Sequence, residues 1–403
     1  MTPSVGEFAR LASVSSRERE GFEATQVIES SGLRIEALVR RSGLRSMHVE
    51  YKVYQNPWTE LEEALSGHVE FVGDDLCGFG LHCDGQATWV YDPSANTAIK
   101  KHGCQLFEPI PGIAALGELA FLDTLTQDFL LRDLGEDHID ERDVRRIGLK
   151  PKQTYRSHLL SAKTFPIRSA TIALDAETYF PMLISFVPSA ESPASSIAGI
   201  NSPIRISYKD VQVLDNASSL HPFLPPADAR VFEETRAKVS DLDDLAPFAI
   251  QLNPLLDREF GSGDSPALLT IDATNERAFV TTHLTRASES SEEESPPARL
   301  TLCVGNYVSR NMARRRATFS EFGSSASRDS TSVALLDRTQ LWEQRLPGID
   351  TQHAPVEAFF EKDSVFWFLS GTGMELDMLE TLAEELLDAN NGVPLQPGDT
   401  QET

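Results

Sequence analysis

Strict alternation is the dominant pattern in this chain. From Met47 to Gln55, Val49, Tyr51 and Val53 fall on one side and His48, Glu50, Lys52 and Tyr54 on the other, the period of a half-buried strand. The stretch 66–101 reads as a meander, with strands near 66–72, 76–82, 87–92 and 97–101. Its turns are Gly73-Asp74-Asp75, Asp84-Gly85 and Asp92-Pro93-Ser94-Ala95-Asn96. Asp-Gly between alternating runs is a strong hairpin signal, and connections this short make the strands antiparallel neighbours. More strands are expected at 142–150, 154–162, 168–175, 181–187 and 204–213, then at 267–272, 277–285, 298–304, 355–361 and 364–370. In the last of these, Phe366 and Phe368 take one face and Val365, Trp367 and Leu369 the other, so both faces should be covered.

Helical spacing is rarer. Leu33, Ile35, Leu38 and Val39 predict a helix over 31–42, stopped by Gly43. An apolar stripe of Leu116, Leu119, Leu122, Leu125, Phe129 and Leu130 predicts another over 114–132. Two more are expected at 306–321 and 374–387, the latter turning Leu376, Leu379, Leu382, Ala383, Leu386 and Leu387 inward. Residues 1–27 carry only a weak helical pattern, and 289–297 is an acidic Ser/Glu/Pro segment expected to be disordered.

Composition narrows the function. With 403 residues, 40% hydrophobic and 24% charged, the chain is of globular type with room for more than one domain. No apolar run approaches the roughly 20 residues of a spanning helix. The formal charge of −25 excludes nucleic acid held by a general basic field. The first residues lack an apolar stretch after a basic start, so no signal peptide is expected and the cytoplasm is the default compartment.

Candidate chemistry is sparse. Phosphate-cradling, zinc-protease and nucleophile-elbow motifs are all missing from the sequence, so no catalytic residue and no cofactor is expected. Cys77, Cys83 and Cys104 lie near His82 and His102. His82 and Cys83 are adjacent, though, and would point to opposite faces of a strand, so no metal site is expected. The one basic cluster is Arg310, Arg314, Arg315 and Arg316, either a grip for an acidic partner or a solvated face paired with the protein's own acids.

Two short stretches carry a family resemblance. Asp84-Gly85-Gln86-Ala87-Thr88-Trp89-Val90-Tyr91-Asp92-Pro93-Ser94-Ala95-Asn96 is similar to a meander, and Ile172-Ala173-Leu174-Asp175-Ala176-Glu177-Thr178-Tyr179-Phe180-Pro181-Met182-Leu183-Ile184 to a hairpin, of the LolA/RseB-like lipoprotein-carrier superfamily. The resemblance covers about 31–215, and the C-terminal part resembles the small domain appended in RseB-like members. It implies an α+β fold, with a large antiparallel half-open β-barrel under a helical lid plus a smaller α+β domain. The expected division is a polar extension at 1–30, the half-barrel at 31–230, a junction at 231–266, the small domain at 267–390 and a disordered tail at 391–403.

The resemblance also implies non-catalytic binding of an acyl chain, a lipid or a lipidated protein, and an extracytoplasmic or membrane-associated site of action as the alternative location. Candidate cavity residues are Val49, Tyr51, Val53, Val69, Phe71, Trp89 and Tyr91, closed by Leu119, Leu122 and Phe129. The alternative role is regulatory, with the barrel as scaffold and the C-terminal part, its arginines included, holding a partner protein.

Overall fold

The computed structural model describes residues 3–19, 21–30, 33–43, 46–55, 78–84, 86–102, 122, 125–153, 155–157, 165–189, 203–214, 223–248, 256, 260–261, 264–286, 298–307, 313, 316–317, 319–320, 323–325, 333–339 and 354–390. A helix α1 (Val5–Glu18) comes first, followed by β1 (Gly21–Ser30), β2 (Leu33–Ser42), β3 (Ser46–Gln55), β4 (Gly80–Cys83), β5 (Ala87–Asp92) and β6 (Thr97–His102). Next are β7 (Phe129–Ile139), β8 (Arg142–Pro151), β9 (Tyr155–Ser157), β10 (Phe165–Asp175), β11 (Pro181–Pro188) and β12 (Ile204–Leu214). The remainder is β13 (Arg230–Lys238), the single turn α2 (Leu242–Leu245), β14 (Pro266–Asp272), β15 (Ala278–Thr285), β16 (Arg299–Gly305), β17 (Ser324–Ser325), β18 (Ala334–Asp337), β19 (Val356–Lys362), β20 (Val365–Thr372) and α3 (Leu376–Ala389).

All the strands belong to one mixed sheet. Followed through its pairings, it runs β7, β8, β10, β11, β12, β1, β2, β3, β4, β5, β6, β13, β14, β15, β16, β20, β19, β18, β17, with β9 on β10. Every pairing is antiparallel except β6–β13. The described ladder ends at β7 and β17 without closing, an open barrel-like arrangement.

Three expectations change here. Residues 33–42 are a strand, not a helix: Ile35, Ala37 and Val39 are buried at period two, and pairing with β1 and β3 selects that period over the helical one the same residues also fit. Residues 3–19 and 21–30 are built into the fold rather than forming a polar extension. β1 lies between β12 and β2, while α1 buries Phe8, Ala9 and Ala12. Within the expected junction, residues 230–238 form β13, paired on both edges.

One apolar cluster joins β1–β5, β7, β8, β10–β12, α1 and the helical residues Leu122 and Leu125. Those strands are consecutive in one sheet, and their buried side chains form a single core on one face, as the open barrel-like curl of the sheet requires. The later strands are covered on both faces. Val365, Trp367 and Leu369 pack with α3, and Phe366 and Phe368 pack with Phe319 and Phe359 on the other side.

Candidate functional site

Of the cavity candidates, four lie in the core of the sheet. Val49, Tyr51, Leu122 and Phe129 are all at most 1% exposed and share one apolar cluster. α1 lies against the same interior and is tied down by polar contacts. The Ser15 hydroxyl donates to the Thr178 carbonyl at 2.9 Å and Arg19 Nη2 to the same oxygen at 3.2 Å. Arg145 stands 5.3 Å from the Phe8 ring centroid, and Phe8 meets Tyr179 edge-on at 5.0 Å. The interior contains Arg41 as well, 2% exposed, its guanidinium 5.7 Å from the Phe22 ring centroid. Arg41 also donates to the carbonyls of Gly43 and Ser16.

Trp89, Tyr91 and Val53 do not join this interior. In β5 it is Val90 that enters the core cluster, so the alternation turns Trp89 and Tyr91 to the outer face, where both rings lean on Phe223. Val53 is half-buried and pairs with Glu36 beyond a bulge in the β2–β3 ladder. The bulge takes it off the Tyr51 face. Val69, Phe71 and Leu119 lie outside the described residues, as do Arg310, Arg314 and Arg315. Arg316 is exposed and pairs with Glu361 at 3.0 Å, the internal pairing that was the plainer reading of the arginine cluster.

The outer face holds what sequence reasoning missed. Phe223 stacks flat on His82, which in turn meets His48 across the β3–β4 ladder. Alternation signalled that His48 opposes Val49, but nothing local pointed to Phe223, which is far away in sequence. Cys83, next to His82, is buried in the core, so the two do take opposite faces. Among the described residues no group of three or more His, Cys, Asp or Glu side chains is placed to hold a metal.

Comparison with known proteins returns solved structures, all at low identity and low TM-score. No protein-family model and no curated protein matches the sequence. Among solved structures, the MucA/MucB complex of Pseudomonas aeruginosa matches over 94% of this chain and 97% of the other, at 10% identity and a TM-score of 0.33. LprF from Mycobacterium bovis matches 57% of this chain and 100% of its own, at 11% and 0.34. A LolA superfamily protein from Nitrosomonas europaea matches 52% of this chain and 93% of its own, at 13% and 0.23. No described helix is long and apolar enough to cross a membrane.

Proposed function

We propose that this protein is a non-catalytic carrier that holds an apolar ligand, an acyl chain, a lipid or a lipidated protein, against the inner face of the curled sheet. The observation that supports this most is the make-up of the interior. Part of its apolar surface is covered by helical pieces, α1 and residues 125–128, rather than by paired strands. Residues 125–128 are also tied by the Lys152 N–H, which donates to the Asp128 carbonyl at 2.8 Å, whereas α1 is held to the sheet through side-chain contacts, so α1 is the piece that can leave without breaking a backbone ladder. Each methylene moved from water onto that surface contributes about 0.8 kcal/mol. About ten of them give a gross ~8 kcal/mol before ordering costs. Such binding needs apolar area, not a motif, consistent with the lack of one.

The second reading is a regulatory protein that grips an acidic partner through the arginines at 310–316. The internal pairing of Arg316 with Glu361 favours the first. Native mass spectrometry of the full chain, gently purified from its source, separates the two. The carrier reading expects an added mass in the range of an acyl or lipid species that organic extraction removes. A clean apo mass with a co-purifying protein overturns it in favour of the second.

A further inference from the structure

The outer face of the meander carries two histidines, each with one buried ring nitrogen that lacks a hydrogen-bond partner. His48 in β3 and His82 in β4 are directly paired in the ladder, their rings edge-to-face with centroids 4.7 Å apart. His48 Nε2 and His82 Nδ1 are both buried and unpartnered. Phe223 lies on His82 with centroids 4.0 Å apart and planes within 8°. Its ring leans on Trp89 at 5.8 Å and Tyr91 at 5.7 Å. From Phe223 the chain passes the β5–β6 turn, where Asn96 Nδ2 donates to the Asp228 carbonyl at 3.1 Å and the Arg230 N–H to the Asn96 carbonyl at 2.9 Å. It then enters β13. Residues 223–229 are thus a strap, tied at one end to Asn96 by a side-chain and a backbone hydrogen bond and at the other by an aromatic stack on a titratable ring.

We propose that this strap is an acid-released latch: protonation of His82 expels Phe223 from the outer face and uncovers Trp89 and Tyr91, while β13 stays paired.

The surroundings of His82 favour release. Across β3 it faces His48, and on β2 His48 pairs with Arg40, which is itself bonded to Glu23. Glu50 on β3 is occupied by Lys52. Asp84, at the end of β4, accepts the backbone N–H groups of Gln86 and Ala87. On β5 the neighbour is Trp89, with Lys100 of β6 at 5.9 Å from its ring centroid. Lys100 and His102 both approach Glu233 of β13. In the strap, Asp228 is exposed. Among the described residues none of these carboxylates bonds His82, and His48, whose ring meets it, becomes a like charge on protonation.

A cation under a phenyl face gains some quadrupole attraction, but a buried N–H cation without an acceptor loses more. Burial, then His48, pushes His82 from its ordinary 6.5 down to about 4. Burial and Arg40 lower His48 too, against Asp84. A histidine depressed in the latched state favours that state fully above its ordinary value, and the advantage drains away as pH falls from 6.5 towards 4.

The test follows Trp89. Its emission is taken as the difference between wild type and Trp89→Phe, with acrylamide quenching, from about pH 7.5 to 4, and far-UV circular dichroism on the same samples. The latch predicts a red shift and increased quenching with a midpoint below pH 6.5 at unchanged secondary structure, and a flat profile in His82→Phe. Gly80→Ala supplies the converse. A Cβ there would stand 2.6 Å from His82 Nε2, so this variant is expected to show the acid-state emission already at neutral pH. A flat wild-type profile, or wild type and His82→Phe moving together, overturns the proposal. Should His82→Phe not fold, the histidine ring-proton resonances of the wild type decide: His82 titrating near 6.5, or out of step with Trp89 emission, also overturns it.

Discussion

Asp175 shows how much one side chain does in this fold. It is 3% exposed and closes the β10–β11 turn by accepting the N–H groups of Glu177 and Thr178 and the Thr178 hydroxyl. Its other oxygen takes Arg142 Nη1 at 3.0 Å. Burial alone would push this carboxyl up, but the bonds from Thr178, Arg142 and Glu177 outweigh it and hold it below the ordinary carboxylate range. Asp175→Asn keeps the shape and loses the charge-assisted bond to Arg142. It should cost about 1–3 kcal/mol in urea unfolding. Because the folded carboxyl titrates low, the wild-type advantage should be full above its ordinary value and shrink as pH falls below about 4. A difference that instead grows in acid would contradict the assignment.

Turn chemistry and strand edges decide the elements. The β19–β20 turn has Asp363 and Ser364 at φ 49° and 64°, a two-residue hairpin with both centres left-handed, where a side chain is strained. Ser364→Gly is expected to stabilise by about 0.5–1 kcal/mol, read as a raised thermal midpoint. A lowered midpoint would mean the serine side chain makes a compensating bond. α1 depends on Phe8, 5% exposed and seated between Arg145 and Tyr179. Phe8→Ala should cost about 3–5 kcal/mol if α1 is part of the cooperative fold. A cost below 1 kcal/mol, with faster amide exchange confined to α1, would mean instead that the helix opens independently.

At the scale of the molecule, β13 ties the two halves of the sheet. It takes β6 in parallel and β14 in antiparallel pairing, and its buried Phe232 meets Tyr307 in a tilted contact with ring centroids 4.6 Å apart. A proline at Glu234 would remove a ladder bond in a strand paired on both sides, costing ~3 kcal/mol or more. Amide protection should then fall together in β5–β6 and β14–β15. Loss on one side alone would show that the tie lies elsewhere. Charge acts on the whole as well. At −25 the molecule repels itself, and salt shortens the screening length from about 10 Å at 0.1 M to about 3 Å at 1 M. Thermal stability is therefore expected to rise between those concentrations. A fall would mean that surface pairs such as Glu23–Arg40 outweigh the repulsion.

Alternation and turn residues alone determine most of this architecture. They predict β5, β8, β10–β12, β14–β16, β19, β20 and α3 within a few positions, because each has one clear period and a readable boundary. They fail where the local signal is absent or double. β7 is mostly exposed and polar, and the Asp140–Glu141 turn after it, φ 47° and 64°, has no glycine or asparagine to announce it. β2 fits both periods, and only its pairing with β1 and β3 chooses one. For the candidate site, alternation separates Trp89 from Val90 but cannot say which of them faces inward. That is a property of the curl, and the curl places Tyr51 inside, Trp89 outside and Phe223, more than a hundred residues away in the chain, on top of His82.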